Sequence, residues 1–469
     1  MNSHDLEKWD KEYVWHPFTQ MKTYRESKPL IIERGEGSYL FDVEGNRYLD
    51  GYASLWVNVH GHNEPELNNA LIEQVEKVAH STLLGSANVP SILLAKKLAE
   101  ITPGHLSKVF YSDTGSAAVE ISLKVAYQYW KNIDPVKYQH KNKFVSLNEA
   151  YHGDTVGAVS VGGMDLFHRI FKPLLFERIP TPSPYTYRMT EYGDQEAVKN
   201  YCIDELEKLL QDQAEEIAGL IIEPLVQGAA GIITHPPGFL IAVEQLCKKY
   251  NILLICDEVA VGFGRTGTLF ACEQEDVIPD IMCIGKGITG GYMPLAATIM
   301  TEQIFNSFLG EPEEHKTFYH GHTYTGNQLA CALALKNIEL IERRDLVKDI
   351  QKKAKQLSEK LQSLYELPIV GDVRQRGLMI GIEIVKDRQT KEPFTIQENI
   401  VSSIIQNARE NGLIIRELGP VITMMPILSM SEKELDIMVE TVYRAIQEVS
   451  ILELPTTYRH YGLIEVVDS

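Results

Sequence analysis

Between residues 105 and 300, short apolar runs alternate with stretches whose apolar positions recur every three to four residues. The runs predict strands at Lys108–Ser112, Lys143–Leu147, Gly219–Ile222, Ile252–Cys256, Ile281–Ile284 and Ala296–Met300. Helical periodicity falls between several of them, at Ser116–Trp130, Asp204–Glu215 and Phe239–Tyr250. Continuously apolar strands separated by amphipathic helices predict an α/β fold with a mostly parallel sheet sandwiched by helices. After about residue 330 the pattern changes. Long helices at Ala330–Arg343, Leu346–Tyr365, Ile396–Asn411 and Glu432–Ser450 enclose strands at Leu378–Val385, Leu413–Arg416 and Val421–Met424. A large domain over residues 61–330 and a smaller α+β domain over 331–469 follow from this change. Residues 1–60 read as an N-terminal arm with strands at Ser38–Asp42 and Arg47–Asp50, assigned to the small lobe. The tail from Glu453 to Ser469 has no periodicity and receives no element.

Composition narrows the functional classes. The chain has 469 residues, enough for roughly three average domains or one two-lobed α/β enzyme. Its 45 basic and 64 acidic side chains give a net charge of −19, which opposes binding to phosphate backbones or anionic membranes. Neither nucleic acid nor membrane is therefore an expected partner. The longest apolar stretch, Ile217 to Val226, is broken by Glu223 and Pro224, and the polar N-terminus predicts no secretory leader. Six cysteines (Cys202, Cys247, Cys256, Cys272, Cys283, Cys331) show no CxxC spacing and several lie in apolar runs. They read as reduced thiols of a cytoplasmic protein.

Two patterns resemble functional sites but fit poorly. Gly262-Phe-Gly-Arg-Thr-Gly267 matches the dinucleotide fingerprint GxGxxG. Five residues separate it from the preceding strand, however, and no convincing helix follows, as that fold requires. The pairs His60-Gly-His62 and His320-Gly-His322 have a spacing that can ligate metal, but both straddle glycine in loop-like sequence and read as polar loop histidines. No metal is expected.

Three other features combine better. The strand Ile252–Cys256 runs into Asp257-Glu258, and the next strand ends in Gly285-Lys286-Gly287. Ends of parallel strands are where α/β proteins bind ligands. A lysine desolvated there is a nucleophilic amine, although Asp257 and Lys286 alone would equally suit a buried ion pair. The run Tyr111-Ser-Asp-Thr-Gly115-Ser116 leads from a strand into a helix whose first N–H groups suit a phosphate, with the Ser116 hydroxyl as a further donor. Taken singly, Ser116 reads as an ordinary cap. Acid, lysine and phosphate cradle together describe a pyridoxal phosphate pocket, over which Tyr151, in Tyr151-His-Gly-Asp-Thr155, could stack.

The runs Asp257-Glu-Val-Ala-Val-Gly-Phe-Gly-Arg-Thr-Gly267 and Lys286-Gly-Ile-Thr-Gly-Gly291 resemble the signature of class III (ω-type) pyridoxal phosphate-dependent aminotransferases. Trp15-His-Pro-Phe-Thr-Gln-Met21, Trp56-Val-Asn-Val-His-Gly61, Tyr151-His-Gly-Asp-Thr155 and His320-Gly-His-Thr-Tyr-Thr-Gly-Asn327 resemble its biotin-pathway branch, which aminates 8-amino-7-oxononanoate. The resemblance implies a fold-type I homodimer with shared active sites and pyridoxal 5'-phosphate as cofactor. It implies that Lys286 forms the Schiff base, Asp257 pairs with the pyridinium nitrogen, Tyr151 stacks on the ring and Glu223 sits near the pocket. Gly115 and Ser116 would bind phosphate, with Thr323 from the other subunit. Arg416 would hold the substrate carboxylate and Trp56 would line the acyl-chain channel, with Phe18 close by.

Two departures bear on the amino donor. Relatives that use S-adenosylmethionine often carry tyrosine at the position of Phe18 and an aromatic near Leu84. Their absence tilts the expectation slightly towards lysine and leaves both donors open. A general ω-amino acid:pyruvate aminotransferase of the same family is the alternative activity.

Overall fold

The computed structural model describes residues 2–104 and 106–453, so residues 454–469 of the tail lie outside the described residues. Seven strands form the main sheet, in spatial order Leu106–Ser112, Ala296–Thr301, Ile281–Ile284, Leu253–Asp257, Ile217–Ile222, Lys143–Leu147 and Arg178–Thr181. Ala296–Thr301 runs antiparallel to both of its neighbours, while the other pairings are parallel. Six strands therefore point the same way, and their carboxyl ends share one edge. All six predicted strands are present. Arg178–Thr181 was not legible, because Pro180 lacks a ladder donor; the strand is tolerated at the sheet edge.

The helix Gly115–Ile133 shows how the layers lock together. Thr114 caps it, its side-chain oxygen accepting from the Ala117 N–H at 3.2 Å. A stripe including Ala118, Ile121, Ser122, Val125 and Tyr129 is buried against the sheet. Each fully buried large apolar side chain contributes about 1.5–3 kcal/mol. The helix predicted from Asp204 instead begins at Gln195, capped by Asp194, whose carboxylate accepts from the Ala197 N–H at 2.9 Å. Its polar opening turns hide the apolar period.

Two four-stranded sheets also occur among the described residues. Val370–Arg376, Met379–Ile384, Val421–Met424 and Arg416–Leu418 form one. The N-terminal strands Ile32–Glu36, Tyr39–Asp42 and Arg47–Asp50 form the other with Leu413–Ile414, which pairs in parallel with Leu49 and Asp50. The arm is thus stitched to sequence far along the chain. Among the described residues no helix is long and apolar enough to cross a membrane.

Candidate active site

The shared edge of the six strands gathers most of the chemistry read from the sequence. Asp257 ends its strand buried, with His152 Nδ1 2.8 Å from Oδ2 and the Val259 N–H donating to Oδ1 at 3.1 Å. The adjacent Glu258 turns away to accept from the Ala271 and Cys272 N–H groups at 2.9 and 2.8 Å, so only one of the paired carboxylates faces the site. Lys286 follows the neighbouring strand with φ 42° at the start of a short 3-10 turn. Burial pushes its amine below the ordinary lysine range, and Asp257, Glu223 and Asp154 partly offset this. The turn is held from the helix Gln328–Arg343, where Asn337 Nδ2 donates to the Gly287 and Ile288 carbonyls at 2.9 and 3.0 Å.

Glu223 emerges from the central strand Ile217–Ile222 and is also buried. Its carboxylate accepts from the Tyr151 N–H at 3.1 Å and the Gly228 N–H at 2.9 Å. Burial raises its pKa to about 7. Tyr151 is fixed through its backbone by this bond and through its hydroxyl, which donates to Asp154 Oδ2 at 2.7 Å. Burial, reinforced by Asp154, raises the Tyr151 phenol well above its ordinary range, which keeps it neutral.

The anion cradle is formed where the helix Gly115–Ile133 meets the strand ends. The first intrahelical bond runs from the Ala118 N–H to the Thr114 carbonyl, so the Gly115 and Ser116 N–H groups precede the ladder. Ser116 is not the cap; its hydroxyl oxygen accepts from the Asp154 N–H at 3.4 Å. Glycine is required at 115 because a Cβ there would lie 2.5 Å from Val259 Cγ1, two residues beyond Asp257. Gly153, at φ 119°, allows the Tyr151 loop to close over Ser116; its Cβ would come within 2.3 Å of the hydroxyl oxygen.

An aromatic wall extends the site. Trp56 is 7% exposed; its ring centroid is 5.3 Å from Lys286 Nζ and 6.1 Å from the Tyr52 ring. The Arg416 guanidinium carbon lies 5.9 Å from the Tyr52 centroid, and the Arg416 side chain is exposed. Lys286, Trp56, Tyr52 and Arg416 are therefore successive neighbours. Trp56 reaches it through Ala53–Trp56, four successive non-glycine residues with positive φ. Each such residue costs about 1–2 kcal/mol.

Other sequence candidates lie elsewhere. Phe18 is 63% exposed in the segment joining the first two helices, Leu84 is 90% exposed, and Thr323 is exposed in the loop where His322 Nδ1 lies 2.9 Å from Asp113 Oδ2. The histidines of each HxH pair go to different partners. His60 Nε2 is 3.3 Å from the Asn337 carbonyl and His62 Nε2 is 2.9 Å from Asp50, while His320 faces Lys124. The segment Gly262–Gly267 is a loop packed on Ile350 and Leu428 and opens no helix. His152 was missed as a contributor, although it sits between the quoted Tyr151 and Gly153. Its Nε2 is buried with no hydrogen-bond partner among the described residues.

A buried acid, a desolvated lysine and open helix-end amides at one strand edge have the donor chemistry a phosphorylated pyridine aldehyde needs. The family model described as aminotransferase class-III matches residues 21–446, and the chain belongs to that family. Such enzymes are transaminases that use pyridoxal 5'-phosphate. The chain is 57% identical to the adenosylmethionine-8-amino-7-oxononanoate aminotransferase of Staphylococcus aureus, over 95% of this chain and 98% of that one. It is similar to the crystal structure of the enzyme of that name from Methanocaldococcus jannaschii, at 50% identity and TM-score 0.90, covering 95% of this chain and 99% of that one. The ω-transaminase from Pseudomonas jessenii in complex with PMP matches at 33% identity and TM-score 0.91, over 95% of this chain and 98% of that one.

Proposed function

We propose that the protein transfers an amino group to 8-amino-7-oxononanoate, giving 7,8-diaminononanoate for biotin synthesis, with S-adenosylmethionine as donor. The observation that carries this reading is the 57% identity, over nearly the full length of both chains, with a relative whose name states that reaction. Phe18 and Leu84 favour lysine as donor instead, but both are exposed, so neither forms a donor pocket within one chain. A homodimer is part of the proposal. The exposed Trp15, Phe18, Leu84, Tyr319 and Tyr324 suit a surface covered by a second copy, which would bring Thr323 to the phosphate. We place the enzyme in the cytoplasm, a reading supported by six unpaired, buried cysteines.

When bound, pyridoxal phosphate supplies an electron sink for breaking the C–H bond at the amino-bearing carbon and carries the amino group between donor and acceptor. The Gly115 and Ser116 N–H groups and the Ser116 hydroxyl would hold its phosphate. Asp257 would keep positive charge on the ring nitrogen, and His152 holds Asp257 in place. Tyr151 would cover the ring. Lys286 would anchor the cofactor and, once displaced, move the proton at the reacting carbon, work typically worth about 10²–10⁴-fold. Trp56 and Tyr52 would wall off the alkyl chain, while Arg416 would bind the far carboxylate in two-pronged fashion.

A half-reaction on cofactor-loaded protein tests the proposal. S-adenosylmethionine should bleach the visible absorption band and 8-amino-7-oxononanoate should restore it. Bleaching by lysine alone would replace the donor and leave the product unchanged. Bleaching by small amines, with recovery only by pyruvate, would make the protein a general ω-aminotransferase.

A further inference from the structure

The Trp56 ring neighbours the Lys286 amine and the Tyr52 ring neighbours the Arg416 guanidinium, and their placement depends on backbone that no glycine relaxes. Ala53, Ser54, Leu55 and Trp56 have φ of 45°, 56°, 107° and 69°. The Leu55 and Trp56 N–H groups donate to the Tyr52 carbonyl at 3.1 and 3.0 Å, closing a left-handed turn. One fully buried carboxylate holds this turn. Asp50 Oδ1 accepts from the Tyr52 and Ser54 N–H groups, both at 3.2 Å, and Oδ2 accepts from the Ser54 hydroxyl at 3.0 Å.

His62 completes the arrangement from another part of the chain. Its Nε2 is 2.9 Å from Asp50 Oδ2. Asn58 Oδ1 accepts from the Gly61 N–H at 2.8 Å, so Asn58 Nδ2 is the group 3.2 Å from His62 Nδ1. Nδ1 must then accept, which leaves a proton on Nε2 directed at Asp50. The backbone of His62 is itself tied to the arm: its N–H donates to the Gly37 carbonyl at 2.7 Å and its carbonyl accepts from the Gly37 N–H at 3.0 Å. A Cβ on Gly35 would lie 2.7 Å from His62 Cβ, so the ring cannot back away. Arm, His62, Asp50, left-handed turn and aromatic wall are thus mechanically in series.

We propose that Asp50 and His62 are positioning residues for substrate choice. They hold the turn so that the aromatic wall keeps a fixed span between Lys286 and Arg416. An acceptor whose carboxylate lies many bonds from its carbonyl gains from that span at both ends. A short 2-oxo acid such as pyruvate carries its carboxylate beside the carbonyl and would draw less on that span. The inference rests on the roles proposed above for Lys286 and Arg416.

The test uses aminated, cofactor-loaded enzyme and follows recovery of the visible band against acceptor concentration, for 8-amino-7-oxononanoate and for pyruvate. His62→Leu should lower the preference for the long acceptor by about 10–100-fold, mainly through KM, because displaced binding groups cost on this scale. His62→Gln, whose amide N–H can reach Asp50, should restore the preference to within about threefold of wild type. Ser54→Ala removes one bond to Asp50 and should shift the preference in the same direction by about threefold. An unchanged preference in folded His62→Leu enzyme, or equal losses for both acceptors, overturns the proposal. Should His62→Leu not fold, an unchanged preference in Ser54→Ala overturns it. Wild-type enzyme that rejects 8-amino-7-oxononanoate defeats the functional reading alone, and the positioning role is then read from a longer and a shorter ω-carboxy keto acid.

Discussion

Two buried glutamates in this protein meet opposite fates. Glu383, on the strand Met379–Ile384, is 1% exposed and receives the guanidinium groups of Arg374 and Arg188 and the Tyr185 hydroxyl. Burial alone would raise its pKa, but Arg374 and Tyr185 overcome that and hold it below the ordinary range. Arg374 is held in turn, donating to Asp372 at 2.9 Å and to the Gly231 and Ile232 carbonyls at 2.7 and 3.2 Å. Glu223 is 4% exposed and receives two backbone amides and no cation, so its pKa rises to about 7. The first cluster is closed on itself. The second keeps unspent capacity: the Lys286 amine is destabilised as a cation, and His152 Nε2 is buried without a hydrogen-bond partner among the described residues. Full satisfaction fixes a structure; incomplete satisfaction at a strand edge leaves groups for a ligand to complete.

Three experiments bear on this contrast. Lys286→Ala should cut transamination by about 10⁴-fold or more. It should also abolish the visible band while leaving the melting temperature of cofactor-free protein nearly unchanged. A large fall in that temperature would make Lys286 structural, like Arg374. Glu383→Gln should act the other way, destabilising the fold by about 3 kcal/mol in denaturant titrations, because the buried Arg374 is left with Asp372 alone and the half-buried Arg188 loses its carboxylate. Cofactor spectra of the folded fraction should stay as in wild type.

The smallest effect is in the pH dependence. Glu223 binds its proton more tightly folded than unfolded, with a pKa near 7 against an ordinary 4.5. Its contribution to cofactor-free stability is therefore fully present below about pH 4.5 and is lost as pH rises through about 7, by at most about 3 kcal/mol. Wild-type stability relative to Glu223→Gln should fall between pH 5 and 8. Relative to Glu383→Gln it should instead fall on acidification below the ordinary glutamate range, since the Glu383 pKa is depressed. Parallel pH profiles for the two variants would erase the distinction.

The strands and their two chemical ends, Asp257 and Lys286, were legible because continuous apolar runs end abruptly in a charge. The strand Val370–Arg376 was not, because its Arg374 and Asp372 read as surface residues until their partners, distant in sequence, are known. The same applies to Asp50: an aspartate at a strand end carries no mark of the turn it will hold. His152 stood inside a quoted motif, yet its role requires the Lys143–Leu147 and Leu253–Asp257 strands to be set at opposite sides of Ile217–Ile222. The positive φ values at Ala53–Trp56 left no signal, since no glycine or asparagine occurs there. Local pattern reveals elements and their termini. Pairings between remote side chains need the fold.

The lone antiparallel strand carries a consequence for the order of events during synthesis. Leu106–Ser112 enters the sheet only by pairing with Ala296–Thr301, where Tyr111 meets Ala297. On the ribosome the segment leading into Gly115 and Ser116 must therefore wait, without a neighbouring strand, until the chain has grown past residue 301. On the roles proposed for Gly115 and Ser116, cofactor capture is a late event of biogenesis, and the visible band should appear only once the sheet has closed.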